Sequence, residues 1–221
     1  MYLFFDTETN GLPRRGAKME DVVKNPELFP RVIQLAWELY DENQVLQSKE
    51  CHLIKPDGWT IPHEKFWIEN GFATHISEQY GRPMRPVLMH FINDMQRAKI
   101  MIAHNMDFDG PIVAAEMVRA GLKSQNKPIR LCTMKTNVDR CRIPQARGSG
   151  FKWPTLHELH MHLFGTGFDG AHDAGADVAA TAKCYFETYR LFKDLDNKIM
   201  PQVNAALNEL RTIDKNDLSE F

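Results

Sequence analysis

Tyr2-Leu3-Phe4-Phe5-Asp6-Thr7-Glu8-Thr9-Asn10-Gly11 is an apolar strand that acquires carboxylates at alternate positions. A strand repeats every two residues, so Asp6 and Glu8 fall on one face. Mg²⁺ and Mn²⁺ take hard oxygen ligands, and a rigid strand aims two carboxylates at one point. Burying such a pair without cations is costly. Taken alone, the segment fits a polar loop after a strand equally well, with Asn10-Gly11 supplying a turn.

A second segment repeats the pattern. Ile100-Met101-Ile102-Ala103 runs into His104-Asn105-Met106-Asp107-Phe108-Asp109-Gly110-Pro111. A helix is expected here, with Pro111 in its first turn and Gly121 stopping it. Asn105, Asp107 and Asp109 then have workable local roles as caps and dipole partners. The third segment, Gly170-Ala171-His172-Asp173-Ala174-Gly175-Ala176-Asp177-Val178-Ala179-Ala180, is alanine-rich and suits a helix packed closely on a sheet. A lone carboxylate such as Asp177 on a packed face calls for a cation partner. His172 converges with Asp177 only if it belongs to the loop before the helix, because residues five apart diverge on a helix.

With these three segments in order, most of the chain resembles the DEDD exonucleases of the DnaQ and RNase T type. D-x-E-T-x-G falls on Asp6, Glu8, Thr9 and Gly11, H-N-x-x-F-D on His104, Asn105, Phe108 and Asp109, and H-x-A-x-x-D on His172, Ala174 and Asp177. A histidine five residues before the last aspartate resembles the DEDDh branch. Arg31 to Trp37 looks like the family's second strand, and Lys152 to Gly165 resembles the helix before the third motif. Ala73-Thr74-His75-Ile76-Ser77 departs from the usual I-H-G-I-T element, which puts in doubt how that loop meets a terminal nucleotide.

The resemblance implies an α/β, ribonuclease H-like fold: a central mixed sheet, with a three-stranded antiparallel meander plus parallel strands, flanked by helices. It implies two divalent ions, Mg²⁺ or Mn²⁺, roughly 4 Å apart and clamping the scissile phosphate. Asp6 would touch both ions, Glu8 and Asp177 would complete the first, and Asp109 would hold the second largely through water. His172 would be the general base, an imidazole being suited to proton transfer near neutrality. Thr9, Gly11, His104, Asn105 and Phe108 would line or support the pocket for the last nucleotide. The implied activity is 3′→5′ hydrolysis releasing nucleoside 5′-monophosphates from single-stranded or frayed 3′ ends. DNA is favoured, with short or structured RNA as the alternative and a polymerase or other replication protein as a possible partner. A non-catalytic binding or polymerase-docking module is disfavoured, since none of the five central residues is missing.

Periodicity predicts strands at about 2–7, 31–41, 46–55, 99–103 and 129–132. Helices are expected near 62–70 and 84–97, after Asp109, at 155–164 and 173–193, and from Pro201. Residues 1–200 are expected to form the catalytic domain, with an insertion at about 12–30. Residues 201–221 would be a C-terminal helix and tail packed on or extending the same domain, fraying from about 213. With 221 residues, 43% of them hydrophobic, the chain can bury a sizeable core. No apolar run reaches the ~20 residues needed to span a bilayer, and no basic signal region opens the chain, so a cytoplasmic location is expected. Cys51, Cys132, Cys141 and Cys184 lack C-x-x-C spacing and read as reduced thiols.

A net charge of −2 makes any grip on nucleic acid local. Arg140, Arg142, Arg147 and Lys152 form either a phosphate-tracking loop or an ordinary solvated one, and Arg14, Arg15 and Lys18 carry the same ambiguity. Phe66, Trp67, Phe72 and Tyr80 can stack on a base or pack a helix. His157, His160 and His162 lack zinc-ligand spacing and are expected on the surface or in the core.

Overall fold

A computed structural model describes residues 1–217, with side chains through residue 204. In chain order the elements are β1 (Tyr2–Thr9), β2 (Val32–Tyr40), β3 (Leu46–Leu53), α1 (Lys65–Glu69), α2 (Thr74–Tyr80), α3 (Met84–Arg97) and β4 (Ile100–Ala103). They continue with α4 (Met106–Arg119), β5 (Ile129–Cys132), α5 (Thr133–Thr136), α6 (Val138–Cys141), α7 (Leu156–Phe164) and α8 (Ala174–Asp217). The five strands form one mixed sheet in the order β3, β2, β1, β4, β5. β1, β2 and β3 make the antiparallel meander, and β4 and β5 run parallel to β1.

β1 is central, and its alternation divides the core between two faces. Leu3 and Phe5 point to the side covered by α3 and α4, where they join Leu35, Trp37, Leu39, Leu88, Phe91 and Ile112. Phe5 meets Phe91 edge to face at 5.7 Å. On the other face lies the start of α8, with Ala174 and Val178 fully buried. The expected close approach is there: a Cβ on Gly175 would sit 3.3 Å from Cys51 Sγ of β3. Larger residues in place of the alanines and glycine would push the helix off the sheet.

Several expected boundaries move. α4 begins at Met106, so Pro111 lies inside it rather than in its first turn. Gly121, at φ +65°, follows its end as a left-handed stop. The expected helix at 62–70 shortens to α1, and α2 forms from the divergent Ala73–Ser77 stretch. The expected basic loop contains α6. No new helix starts at Pro201, because α8 runs through it. Residues 197–204 are exposed, so water can serve the carbonyl that the proline leaves unbonded.

The 12–30 segment is anchored. Val22 and Phe29 enter the core, and Arg119 of α4 donates to the carbonyls of Pro26, Phe29 and Pro30. All four cysteines are free thiols. No helix of the described residues is long and apolar enough to cross a membrane. The chain divides into two compact units, residues 1–184 and residues from 185 onward. In the second, Arg190 is paired with Glu187 and Asp194 along one helical face. Residues 218–221, the end of the expected tail, lie outside the described residues.

Candidate active site

β1 outruns its parallel neighbour. Pairing with β4 ends at Phe4 and Ile102, whereas pairing with β2 continues through Asp6 with Ala36 and Glu8 with Gln34. Past Phe4 one flank of β1 is therefore open, at the carboxyl end of the parallel strands, where α/β sheets bind ligands. Asp6 and Glu8 lie there, and a register shift follows immediately between Glu8 and Thr9. Irregularities of this kind re-aim side chains and recur beside active sites.

Asp109 comes from α4, which begins two residues after β4. Thr7 alternates with Asp6 and Glu8 and so faces α4. Its backbone N–H and hydroxyl donate to Asp109 Oδ1 at 3.2 and 2.7 Å. Asp177 comes from the first turn of α8, whose start is clamped by Gln34 of β2. Gln34 Nε2 donates to Asp173 Oδ2 at 3.0 Å, and its Oε1 accepts from Ala174 N–H at 2.8 Å. Asp173 Oδ1 in turn accepts from Ala176 N–H at 3.0 Å, capping the helix. His172 precedes that cap in the left-handed region, at φ +70°. Few residues other than glycine adopt this conformation, histidine being one of the more tolerant. It turns the backbone so that His172 N–H donates to Asp177 Oδ2 at 3.1 Å while the ring meets Phe66 edge to face at 5.4 Å.

Oxygens of Asp6, Glu8 and Asp177 lie within 4.8 Å of one another. Asp109 stands just outside this trio but couples to it electrostatically. Burial, and then repulsion from Asp109, Asp177 and Glu8, holds the Asp6 carboxyl well above the usual carboxylate range. Burial and the neighbouring acids push Glu8 up to about 8. Burial raises Asp109 to about 7 even though both Thr7 hydrogen bonds oppose it, and raises Asp177 to about 6 against the His172 N–H. Desolvation and like charge both penalise the ionised forms, and a divalent cation at the centre reverses both penalties. The donors are all carboxylate oxygens, which fits Mg²⁺ or Mn²⁺ rather than a thiophilic ion.

Beside the trio lies a cavity of about 300 Å³ lined by Thr7, Glu8, Thr9, Gly11, Leu12, Phe66, Trp67 and Phe108. That is the low end of the ~300–1,000 Å³ found for small-ligand pockets. Its shape is held by Trp67 Nε1, which donates to the Thr9 carbonyl at 2.9 Å, and by the Thr9 hydroxyl bonded to the Gly11 carbonyl at 2.7 Å. Leu12 and Phe66 are exposed at its edge.

The other expected residues are scattered. His104 uses both ring nitrogens inside the protein, at 3.0 Å from Thr133 Oγ1 and 3.0 Å from the Pro154 carbonyl, and burial pushes it down to about 4. It is a strut between β4 and the loop before α7. The Asn105 carbonyl accepts the amides of Phe108 and Asp109, starting α4. Phe72 is buried, and Tyr80 is exposed away from the cavity lining. Lys152 is paired with Glu158 at 2.6 Å. His160 is buried with Nδ1 2.7 Å from the Thr166 carbonyl, and His157 packs on Phe168. Sequence reasoning missed Thr7, Gln34 and Asp173. Only the alternation of β1, which turns Thr7 toward the second motif's helix, carried a readable signal.

No family model matches the chain, and comparison with curated proteins found no match. Solved structures do match. E. coli exonuclease I in complex with a dT13 oligonucleotide superposes with a TM-score of 0.66 at 19% identity, over 88% of this chain and 43% of that one. A product-bound exonuclease I gives 0.64 at 18% identity, over 90% and 47%. The zinc-ion-bound E. coli ExoI–ssDNA complex gives 0.60 at 20% identity, over 82% and 39%. This chain spans less than half the length of those proteins. At such identity the likeness speaks for the fold alone, which is ribonuclease H-like.

Proposed function

We propose that this chain is a metal-dependent 3′→5′ exonuclease that hydrolyses the terminal phosphodiester bond of single-stranded DNA and releases nucleoside 5′-monophosphates. The observation that carries this reading is the convergence of Asp6, Glu8 and Asp177, from two distant segments, on one small volume beside buried Asp109. Exonuclease I, the structural neighbour, is seen bound to single-stranded oligonucleotides, which favours DNA over RNA as the substrate.

Two divalent ions, when bound, would supply Lewis-acid stabilisation of the charge developing on the phosphate and the leaving 3′ oxygen. The four carboxylates would hold those ions in place. His172, on the rim rather than among the carboxylates, takes the proton of the attacking water. Its amide is bonded to Asp177 and its ring packs on Phe66, which lines the neighbouring cavity. Leu12 and Phe66 offer apolar surface for the last base, and the Thr9–Gly11 turn lets the sugar approach the backbone. Gln34 and Asp173 are positioning residues that fix where α8 presents Asp177.

The decisive assay follows 5′-labelled DNA and RNA oligonucleotides of matched sequence with Mg²⁺, with Mn²⁺ and with EDTA. A one-nucleotide ladder shrinking from the 3′ end of DNA, abolished by EDTA, is expected. Internal cuts, or full activity in EDTA, would overturn the reading, and preferential trimming of RNA would reassign the sugar. His172→Ala should slow hydrolysis by about 10²–10⁴-fold while the dependence on Mg²⁺ concentration stays close to wild type.

A further inference from the structure

The edge strand carries a second group of metal-type donors, on the opposite side of the sheet from the carboxylates. Cys51 pairs with Ala36, and Ala36 with Asp6, so these three share the catalytic face. Glu50 and His52, one residue to either side of Cys51, therefore face the other way, toward α3. There His90 meets them. His52 Nε2 lies 2.8 Å from Glu50 Oε2, His90 Nδ1 lies 3.7 Å from Glu50 Oε1, and one donor atom from each of the three residues falls within 4.8 Å of the others.

We infer that Glu50, His52 and His90 form a binding site for a borderline transition-metal ion of the Zn²⁺ type. Two imidazoles and one carboxylate suit such an ion, whereas Mg²⁺ prefers oxygen alone. Zn–N and Zn–O bonds of about 2.0–2.2 Å in a tetrahedron place neighbouring donors about 3.3–3.6 Å apart. The two Glu50–imidazole separations, 2.8 and 3.7 Å, lie on either side of that value, and all three donors fall within 4.8 Å, so side-chain adjustments of up to about an ångström bring them onto one ion. Three protein donors leave a fourth position for water.

The rings are oriented before any ion arrives. Trp37, fully buried, contacts both: its ring centroid is 5.4 Å from that of His52 and 5.8 Å from that of His90, the latter perpendicular. Trp37 Nε1 also donates to Asp94 Oδ2 at 3.0 Å, one turn along α3 from His90. One indole thus sets both imidazoles and the helix that carries one of them. The alternative is Glu50 shared between both imidazoles, but at 3.7 Å it makes no hydrogen bond to His90. An ion pair also suits the His52 ring poorly, because burial, with Arg82 nearby, disfavours the charged imidazole despite Glu50. For the ion to bind, His52 Nε2 must present its lone pair, so the ring proton moves to Nδ1.

An ion here would join the edge strand β3 to α3 across Trp37, independently of the nuclease site. The test is equilibrium dialysis of the full chain against Zn²⁺ in excess Mg²⁺, which occupies the carboxylate site, followed by metal analysis and thermal melting. Wild type and Asp177→Asn should each retain one Zn²⁺ per chain and melt higher with Zn²⁺. His90→Ala, a change at a half-exposed position, and Glu50→Gln should each lose that equivalent and the shift. Co²⁺ should give wild type, but not His90→Ala, the intense visible bands of tetrahedral coordination. Equal Zn²⁺ retention by wild type, His90→Ala and Glu50→Gln would overturn the site. So would loss of the ion in Asp177→Asn alone.

Discussion

Two buried acids on α4 receive opposite treatment. Asp109 and Glu116 are seven residues apart and fall on nearly the same helical face; both are almost fully buried. Glu116 Oε1 accepts from Arg31 Nε at 2.7 Å and the Val32 N–H at 3.2 Å, and it lies 3.0 Å from Arg119 Nη1. Asp109 has the Thr7 hydroxyl and amide, and its charged neighbours are further acids. Among the described residues, none of Asp6, Glu8, Asp109 and Asp177 enters an ion pair with Lys or Arg. The fold supplies two guanidiniums to an acid two turns away, so the unpaired set is not a failure of available cations. Glu116 has its cations within the protein, whereas on the proposed reading the four carboxylates receive theirs with the metal.

The comparison breaks if the two kinds of acid respond alike to removal. Asp6→Asn should cut exonuclease activity by about 10⁴-fold, the loss of several kcal/mol of charge stabilisation. In EDTA the same variant should melt above wild type, by about 2–4 °C for each kcal/mol of repulsion relieved. Glu116→Ala should do the reverse, destabilising by roughly 3 kcal/mol because Arg31 and Arg119 lose their partner. Its folded fraction should keep activity near wild type. Paired thermal melts and single-turnover trimming rates read both halves, and an Asp6→Asn protein less stable than wild type in EDTA would defeat the contrast.

A smaller effect sharpens it. In the unfolded chain these acids lose their protons near pH 4, whereas the folded site holds them until about 6 for Asp177, 7 for Asp109 and 8 for Glu8. Across that window the folded state binds more protons, so without divalent ions the site's contribution to stability falls as pH rises from about 4 to about 8. Mg²⁺ binds only the folded, ionised site and should offset the loss. The rise in Tm produced by Mg²⁺ should therefore be larger at about pH 8 than at about pH 5.5. A rise independent of pH would mean that the carboxylates are already ionised without the metal.

Parts of this site were legible locally, and only the resemblance joined its three segments into one. Alternation placed Asp6 and Glu8 on one face, and the five-residue gap from His172 to Asp177 required a loop, which φ +70° at His172 realises. The middle of the sheet was legible for the same reason, β1, β2 and β4 being largely apolar runs. What stayed hidden is long-range. Thr7 reaches Asp109 across 102 positions, and Gln34 reaches Ala174 across 140. Nothing in a glutamine's neighbourhood announces that it will cap a helix from another part of the fold. Helix ends failed where solvent decides: Pro201 reads as a start, yet α8 passes through it along an exposed stretch where water can serve the orphaned carbonyl. Lys152 read equally as a phosphate contact or as part of a solvated loop, and Glu158 in the next helix engages it.

The smallest change probes the shorter of the two bonds that Thr7 makes to Asp109. Thr7→Val keeps the β-branched shape that suits a central strand and the backbone N–H to Asp109, and removes only the 2.7 Å hydroxyl bond. That bond favours the ionised carboxylate, so its loss should push the Asp109 carboxyl further up and make divalent ions harder to recruit. Outer supports of metal ligands typically contribute 10–100-fold, and about tenfold is expected here at limiting Mg²⁺. The defect should shrink as Mg²⁺ or pH is raised, since either restores the ionised form. Arg31→Met, which strips Glu116 of a comparable contact, should lower stability without moving the Mg²⁺ dependence. If the two variants shift that dependence equally, Asp109 is an ordinary buried acid and the division of labour along α4 is wrong.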